Sequence, residues 1–181
     1  MSGKGLKQFH GTWKECSTSG DSECLKAMGV CKTKRRILKK LKAKLKYDVQ
    51  NDSKLIFTNK TFMRTEIIDL GMKKSFDSDL GTTENLHVLE GDVLITTVTM
   101  IKPSSNVKKL VAGDVITSKV SINGKGQLTS EVEVKGAKLT KIFKLKSGGD
   151  NDDDEEDKEN AKLREMASKA EDDGDENDDD E

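Results

Sequence analysis

Three cysteines and two histidines are the side chains in this chain best suited to bind a metal or to attack a substrate. Cys16, Cys24 and Cys31 lie seven or eight residues apart, and His10 and His87 are distant from each other. This spacing matches no zinc pattern, and no serine or cysteine has a paired base. A glycine loop that could cradle phosphate is also missing. We therefore expect no enzyme, no metal and no cofactor, and we expect reduced thiols in an intracellular protein.

A stronger chemical signal is a run of nine bases with no acid between them, which we call the basic cluster. Its members are Lys32, Lys34, Arg35, Arg36, Lys39, Lys40, Lys42, Lys44 and Lys46. Like charges repel unless a partner neutralises them, and each base near an anionic membrane contributes about 1 kcal/mol to binding. The predicted partner is an anionic membrane surface, with Lys32, Lys34, Arg35, Arg36, Lys39, Lys40 and Lys42 as the docking residues.

Two other interpretations of the basic cluster stay open. Residues 34–36 and 39–40 resemble a nuclear-localisation cluster, which would make the import machinery or nucleic acid the partner. Few aromatic residues accompany the bases, and this argues against stacking on single-stranded nucleic acid. The cluster could also be a solvated charged face without a partner.

The end of the chain has the opposite charge. Residues 148–181 carry 18 acids and 4 bases, a net charge of −14, so residues 1–147 carry 28 bases and 15 acids, or +13. Few apolar residues are present in the acidic part to offset an ordering entropy of about 1–2 kcal/mol per residue. The sequence thus predicts a folded domain over 1–147 and a disordered acidic tail over 148–181, joined flexibly at 147–149. Residues 158–170 favour at most a fraying helix.

The acidic tail suggests two roles. As a flexible chain of 34 residues it would reach on the order of 30 Å, far enough to contact the basic cluster and inhibit docking. Alternatively, it could capture a basic protein partner and expose the cluster.

Alternating apolar and polar residues dominate the part before the tail, and this period of two is typical of β-strands. The pattern predicts eleven strands, at 10–16, 41–50, 54–58, 61–68, 73–77, 85–90, 93–101, 107–111, 114–122, 127–134 and 139–146. Residues 21–38 have helical spacing broken by Gly29, which predicts two short helices. We therefore predict a mostly β protein, an antiparallel up-and-down barrel closed by strands and capped by two helices.

Several segments are familiar. FHGTWK at 9–14, LKAMGV at 25–30 and TFMRTEI at 61–67, followed by LG at 70–71, resemble the intracellular lipid-binding (fatty-acid-binding) protein family. The resemblance implies a barrel-like clamshell around a lipid cavity, with a helix-turn-helix lid over the portal. That family has ten strands, so residues 78–91 or a hairpin near 102–106 are expected to be an insertion.

The resemblance also implies binding residues. Family members anchor a carboxylate with an Arg-x-Tyr pair on the last strand and a second Arg two strands earlier. Lys141 and Phe143 take the first two positions here, and Lys119 or Val120 lies near the third. The other implied pocket residues are Trp13, Leu25, Met28, Val30 and Phe62. Lys141 lacks the guanidinium fork, and it could instead be a solvated strand lysine.

Loss of this clamp need not abolish lipid binding. A charged hydrogen bond contributes about 1.5–3 kcal/mol, whereas each buried methylene of an acyl chain contributes about 0.8 kcal/mol. We therefore predict a monomeric carrier of a long-chain fatty acid or similar hydrophobic ligand, located in the cytoplasm and also in the nucleus. An alternative of another class is an acidic-tailed nuclear interaction protein, similar to histone chaperones, with the barrel as scaffold.

Overall fold

The computed structural model describes residues 3–146 and 153–170 of the chain. The ten strands are β1 (Gly11–Ser19), β2 (Lys44–Asn51), β3 (Lys54–Asn59), β4 (Arg64–Asp69), β5 (Lys74–Ser78), β6 (Gly81–Glu90), β7 (Val93–Pro103), β8 (Val115–Ile122), β9 (Leu128–Val134) and β10 (Ala137–Leu145). The α-helices are α1 (Asp21–Met28), α2 (Lys32–Leu38) and α3 (Asp153–Lys169), and a 3-10 turn covers Gly5–Phe9.

The strands form one antiparallel up-and-down sheet, as predicted. Consecutive strands pair with each other except β4 and β5, and β1 also pairs with β10, so that β4 and β5 are the two edges of the curled sheet. The predicted closure by strands is therefore incomplete between β4 and β5. Side chains bridge this gap, because the Lys74 ammonium pairs with Asp69 and donates to the Ile67 carbonyl oxygen at 3.2 Å. The result is a clamshell.

The two predicted lid helices are confirmed as α1 and α2. Gly29 ends α1 with a positive φ of 81°, and its N–H donates to the last carbonyls of the helix. A Cβ at this position would lie 2.4 Å from the backbone nitrogen of Lys109. Only glycine allows both the left-handed turn and this close approach.

The predicted strand at 107–111 is wrong. These residues belong to the loop between β7 and β8, where the Leu110 N–H donates to the Val107 carbonyl at 3.0 Å. Val107 and Leu110 are both buried, and they pack with Cys24 and Val30 under the lid. Their spacing of three fits a tight turn rather than an alternating strand. Neither expected insertion interrupts the sheet, since β6 occupies 81–90 and β7 continues through Pro103.

Two strands begin three residues later than predicted. β2 begins at Lys44 rather than at residue 41, and β4 begins at Arg64 rather than at residue 61. A turn precedes β4, in which the Asn59 side chain accepts hydrogen bonds from the N–H groups of Thr61 and Phe62. Such local side-chain caps compete with strand pairing.

Two apolar clusters pack inside the sheet, and a third lies between α2 and α3. The first lies at the end of the sheet near the 3-10 turn and includes Leu6, Phe9, Trp13, Leu55 and Leu128. The second lies under the lid helices around Cys24, Val30 and Met100. Between the two clusters the interior is left partly unfilled, and this space is the cavity described below.

Part of the acidic tail, for which the sequence favours disorder or at most a fraying helix, is helical in the structure. Residues 153–169 form α3, which packs its Leu163 side chain against Ile37 and Leu41. Leu163 is only 8% exposed. Propensity alone would leave this helix fraying, but tertiary contact with an apolar patch stabilises it. Residues 147–152 and 171–181, including the predicted flexible joint, lie outside the described residues.

Candidate ligand cavity

A cavity of about 410 Å³ lies inside the sheet, beneath α1 and α2. Small-molecule sites typically span roughly 300–1,000 Å³. Most of the lining side chains are apolar, and they come from the lid as well as from both halves of the sheet. They include Leu25, Leu38, Leu41, Phe57, Phe62, Ile68, Leu94, Val120, Val132, Leu139 and Phe143. This composition suits an elongated apolar molecule.

Six of the nine residues implied by the family resemblance line the cavity. They are Leu25, Met28, Phe62, Val120, Lys141 and Phe143. The structure thus brings together residues from the lid, the β3–β4 turn, β8 and β10. Strand alternation places Lys141 and Phe143 on the inner face, two residues apart on the last strand.

The other three implied residues, Lys119, Trp13 and Val30, do not line the cavity. Lys119 is exposed, because β8 directs Ser118 and Val120 inward and the residue between them outward. Trp13 is buried in the first core cluster, where its indole N–H donates to the Phe9 carbonyl oxygen at 2.8 Å. Val30 packs in the second cluster below the lid. Trp13 and Val30 therefore shape the walls of the cavity without lining it.

Lys141 is already paired with an acid of the protein. Its ammonium lies 3.1 Å from Glu15 Oε2, and the same oxygen accepts the Ala43 N–H at 2.7 Å. The Glu15 side chain is 7% exposed and that of Lys141 is 25% exposed. A bulge in β1 at residue 16 accompanies this arrangement, since the register with β10 shifts between Glu15 and Ser17. The charge expected to attract a carboxylate is thus compensated within the cavity.

A second polar network faces the cavity from β4, β6 and β7. His87 Nε2 lies 2.9 Å from Glu66 Oε1, and His87 Nδ1 lies 2.8 Å from the Thr96 hydroxyl. The Asn85 amide also donates to Glu66 Oε1, at 3.2 Å. Because Glu66 is on β4 and His87 on β6, the network spans the open edge of the sheet.

The surroundings of two cavity-lining residues, Glu66 and Tyr47, shift their pKa values. Burial alone would raise the pKa of the Glu66 carboxyl, but the hydrogen bond and charge of His87, aided by Asn85 and Arg64, outweigh it and lower the pKa. Burial raises the pKa of Tyr47, another lining residue, well above its usual range. Glu66 is therefore ionised and the Tyr47 phenol is neutral near pH 7.

Solved structures with this architecture were found by comparison. The REP1-NXSQ fatty acid transporter is 13% identical, with a TM-score of 0.65 over 79% of this chain and 99% of that one. A Schistosoma mansoni fatty acid binding protein in complex with arachidonic acid is 12% identical, with a TM-score of 0.63 over 78% and 98% of the two chains. The fluorescent protein UnaG is 18% identical, with a TM-score of 0.65 over 78% and 99%.

The chain has the fatty-acid-binding protein fold. No protein-family model and no curated protein sequence matches it. At these identities the likeness concerns the fold, and it confirms the architecture that the resemblance implied. About a fifth of this chain lies outside the aligned part, whereas nearly all of each solved structure is covered.

Two kinds of feature are absent from residues 3–146 and 153–170. No helix there is long and apolar enough to cross a membrane. The same residues contain no group of three or more His, Cys, Asp or Glu side chains that could hold a metal ion.

The basic cluster lies on the lid of this fold and on the start of β2. Arg36, Lys39, Lys40 and Lys42 are exposed, whereas Lys32, Lys34 and Arg35 are partly covered. Two of the partly covered bases bind neighbouring loops. Lys34 donates to Asn106 Oδ1 at 2.6 Å, and Arg35 donates to the Val30 carbonyl at 2.9 Å. These contacts fix the lid, so the exposed bases form the surface open to a partner.

Helix α3 covers Lys44 of the basic cluster, whereas Lys46 is exposed. Lys44 is only 6% exposed, and its ammonium lies 3.7 Å from Asp157. Glu156 pairs with Lys14 at 2.6 Å, and Arg164 donates to the Thr61 carbonyl at 2.7 Å. Strand alternation directs Lys44 outward, but α3 shields it from solvent. The acidic segment thus contacts basic residues of its own chain.

Helix α3 also touches the wall of the cavity. Its Leu163 packs in a cluster with Ile37 and Leu41, against which Leu38 and Phe62 also pack. Leu38, Leu41 and Phe62 all line the cavity. The helix therefore supports the outer side of residues whose inner side faces the ligand space.

Three polar residues that line the cavity, Glu15, Glu66 and His87, were not predicted from the sequence. Glu15 stands two residues after the buried Trp13, so the period of two places both on the same inward face. On β6, the buried Asn85 and His87 alternate with the less buried Leu86 and Val88. Strand alternation could have placed these residues on the inner face. On β6, however, the inward positions are polar, contrary to the usual rule that apolar residues face inward.

Proposed function

We propose that this protein is a monomeric cytoplasmic carrier that holds a long-chain fatty acid or similar hydrophobic ligand inside its sheet. The observation that carries the proposal is the cavity of about 410 Å³, lined mainly by apolar side chains and covered by two helices. Each methylene of a bound acyl chain contributes about 0.8 kcal/mol on leaving water, so chain burial supplies most of the affinity. Similar solved structures include a fatty acid transporter and a protein in complex with arachidonic acid.

Filling the cavity tests this function. Ser118→Trp places a large side chain in the ligand space, whereas Lys119→Trp places the same side chain on the outer face of β8. We expect lipid in organic extracts of the native protein and of the Lys119 variant by mass spectrometry, and at least a tenfold reduction in the Ser118 variant. Extracts of the native protein without stoichiometric lipid, together with no uptake of added lipid, would contradict the proposal.

We further propose that the exposed part of the basic cluster docks on anionic membranes and that α3 limits this docking. The pKa of Lys60, next to α3, indicates a surplus of positive charge around this residue. Burial lowers its pKa, and the charges of Lys44, Lys46 and Lys146 lower it further. A membrane carrying negative charge would relieve this repulsion, as the acids of α3 already do in part.

Vesicle binding tests the docking surface. Arg36→Glu/Lys40→Glu/Lys42→Glu reverses three exposed charges on the lid side, and the matched control Lys4→Glu/Lys7→Glu/Lys125→Glu reverses three at the other end. We expect the lid variant to lose at least tenfold in binding to phosphatidylserine vesicles, and the control to lose less than threefold. Equal losses would indicate that net charge, rather than this surface, governs binding.

The alternative of a histone-chaperone-like scaffold has less support. A barrel that serves only as a scaffold needs no interior space, whereas this one contains a lidded cavity. Acidic residues that would have to capture a basic partner, such as Glu156 and Asp157, contact Lys14 and Lys44 of the same chain. We therefore favour the carrier.

A further inference from the structure

The charged groups that line the cavity carry no net positive charge that would attract an anionic ligand. Four poorly exposed ionisable side chains line the cavity as two pairs, Glu15 with Lys141 and Glu66 with His87. Asp21 and Lys39 line it from the lid side and contribute one charge of each sign. The balance is zero when His87 is protonated and −1 when it is neutral, so the cavity does not favour a carboxylate.

A carboxylate ligand would have to compete with Glu15 for Lys141. Glu15 Oε2 accepts hydrogen bonds from the Lys141 ammonium at 3.1 Å and from the Ala43 N–H at 2.7 Å. An incoming carboxylate must either displace this acid from two donors or lie beside it. In a poorly hydrated site both choices are unfavourable, because two adjacent carboxylates resist joint ionisation.

The Glu66 network offers a carboxylate no donor either. A carboxylate oxygen only accepts, so the hydrogen between Glu66 Oε1 and His87 Nε2 belongs to the histidine. In the neutral ring, Nδ1 then accepts the hydrogen of the Thr96 hydroxyl at 2.8 Å. Both ring nitrogens of His87 are thus occupied within the protein.

By contrast, the cavity offers acceptors. In residues 3–146 and 153–170, Glu15 Oε1 and Glu66 Oε2 accept no hydrogen bond, while the other oxygen of each accepts two. Neither is an orphan buried atom, since the described part of the chain contains no fully buried polar side-chain atom without a partner. These two oxygens are therefore open to a hydrogen-bond donor that enters the cavity.

We propose that the cavity selects lipids whose head group is uncharged and donates a hydrogen bond, such as a hydroxyl or an amide N–H, over free fatty acids. This selectivity rests on the carrier function proposed above and concerns the same cavity. A neutral donor can bind an open carboxylate oxygen without disturbing either pair. The acyl chain then occupies the apolar part of the cavity, as it would for any lipid.

Competition among ligands of equal chain length tests the selectivity. The full-length protein is loaded with the uncharged fluorophore diphenylhexatriene and titrated at pH 7.4 with 1-hexadecanol, palmitamide, methyl palmitate or palmitic acid. We expect the alcohol and the amide to displace the probe at concentrations at least tenfold lower than palmitate. The methyl ester, which is neutral but cannot donate, should lie between them. Palmitate equal to or better than the alcohol overturns the selectivity and leaves the carrier function intact.

Failure of the carrier function gives a different result. If none of the four compounds displaces the probe and none is found bound by native mass spectrometry, the carrier proposal and the selectivity that rests on it both fall. The outcomes thus separate an error about the head group from an error about the cavity.

A charge-removing variant provides the sharper test. Glu15→Gln keeps an oxygen that can accept the Ala43 N–H but leaves the Lys141 charge uncompensated. We expect palmitate to bind about tenfold more tightly to this variant, with hexadecanol changed less than twofold. Glu90→Gln, at the exposed end of β6, is the matched control and should change the binding of neither ligand. If Glu15→Gln does not fold, Glu66→Gln replaces it with the same expected direction, and an unchanged palmitate affinity in a folded variant overturns the proposal.

Discussion

Ion pairs inside the cavity and ion pairs beneath α3 have similar geometry but different surroundings. Glu15 and Lys141 lie 3.1 Å apart with side chains 7% and 25% exposed. Glu156 and Lys14 lie 2.6 Å apart, with side chains 26% and 35% exposed. The shorter pair is the more hydrated one, so distance alone does not rank their contributions to stability.

Hydration decides what each region can do. A buried charge that loses its partner is strongly destabilising, whereas an exposed pair typically contributes about 0–1 kcal/mol and is screened by salt. The interior pairs are therefore permanent features that set the chemistry of the cavity. The pairs under α3 are individually weak, so that helix can leave its site when salt or an anionic surface competes.

Removal of Glu15 should have the largest effect. Glu15→Ala leaves the Lys141 ammonium and the Ala43 N–H without their acceptor. We expect the free energy of unfolding to fall by about 2–4 kcal/mol, below the full cost of a buried unpaired charge because Lys141 is partly exposed. Urea denaturation measures the loss. The double variant Glu15→Leu/Lys141→Met should recover most of it, and an equal loss in both would show that the pair itself stabilises the fold.

Glu66→Gln should have the next largest effect, and the effect should depend on pH. At pH 7 we expect a loss of about 1–3 kcal/mol, since charge-assisted hydrogen bonds from His87 and Asn85 become neutral ones. The native pKa of Glu66 is lowered, so its ionisation stabilises the fold above the usual value of 4.5. This stabilisation is lost as the pH falls from 4.5 through the lowered native pKa.

The comparison of unfolding curves between pH 3 and pH 7 checks this sign. The difference between native protein and Glu66→Gln should shrink in the acid range, where the native carboxyl is protonated as well. Glu90→Gln, at the exposed end of β6, should match the native protein at every pH. A difference that stays constant down to pH 3 would contradict the pKa assignment.

Leu163→Ala should loosen α3 without unfolding the sheet. Leu163 is 8% exposed in its cluster, whereas Met166 on the same helix is 55% exposed. We expect a local cost of about 1–2 kcal/mol, which corresponds to amide hydrogen exchange in α3 that is roughly tenfold faster. Met166→Ala is the matched control and should change exchange less than twofold. Faster exchange throughout the sheet would show that α3 is part of the cooperative core.

Strand order and the lid could be predicted from the sequence because their signals are local. Alternation marks the strands, and the helical spacing around Gly29 marks α1 and α2. The failure at 107–111 has a physical reason: Val107 and Leu110 are buried by the lid, and no local pattern distinguishes that packing from a strand. Local patterns reveal that residues are buried, but they do not reveal which element covers them.

The candidate site was only partly accessible to such reasoning. Lys141 and Phe143 came from the family resemblance, and strand alternation agrees with their inward direction. The partner of Lys141 could not be found, because Glu15 is 126 residues away and becomes a neighbour only through β1–β10 pairing. A stable α3 was not predicted for a similar reason, since its apolar face is too small to stabilise more than a fraying helix until Ile37 and Leu41 are known to be under it.

The smallest expected effect separates the two kinds of ion pair directly. A double-mutant cycle of Lys14→Met with Glu156→Gln isolates their coupling even though Lys14 has a further contact. At low salt we expect a coupling of about 0.3–1 kcal/mol, and at 1 M NaCl, where the Debye length is about 3 Å, most of it should vanish. The same cycle for Glu15 and Lys141 should give a larger coupling that changes little with salt. Equal salt dependence in both cycles would mean that water reaches the cavity pair as freely as the surface pair, and the reason for expecting rejection of carboxylate ligands would be lost.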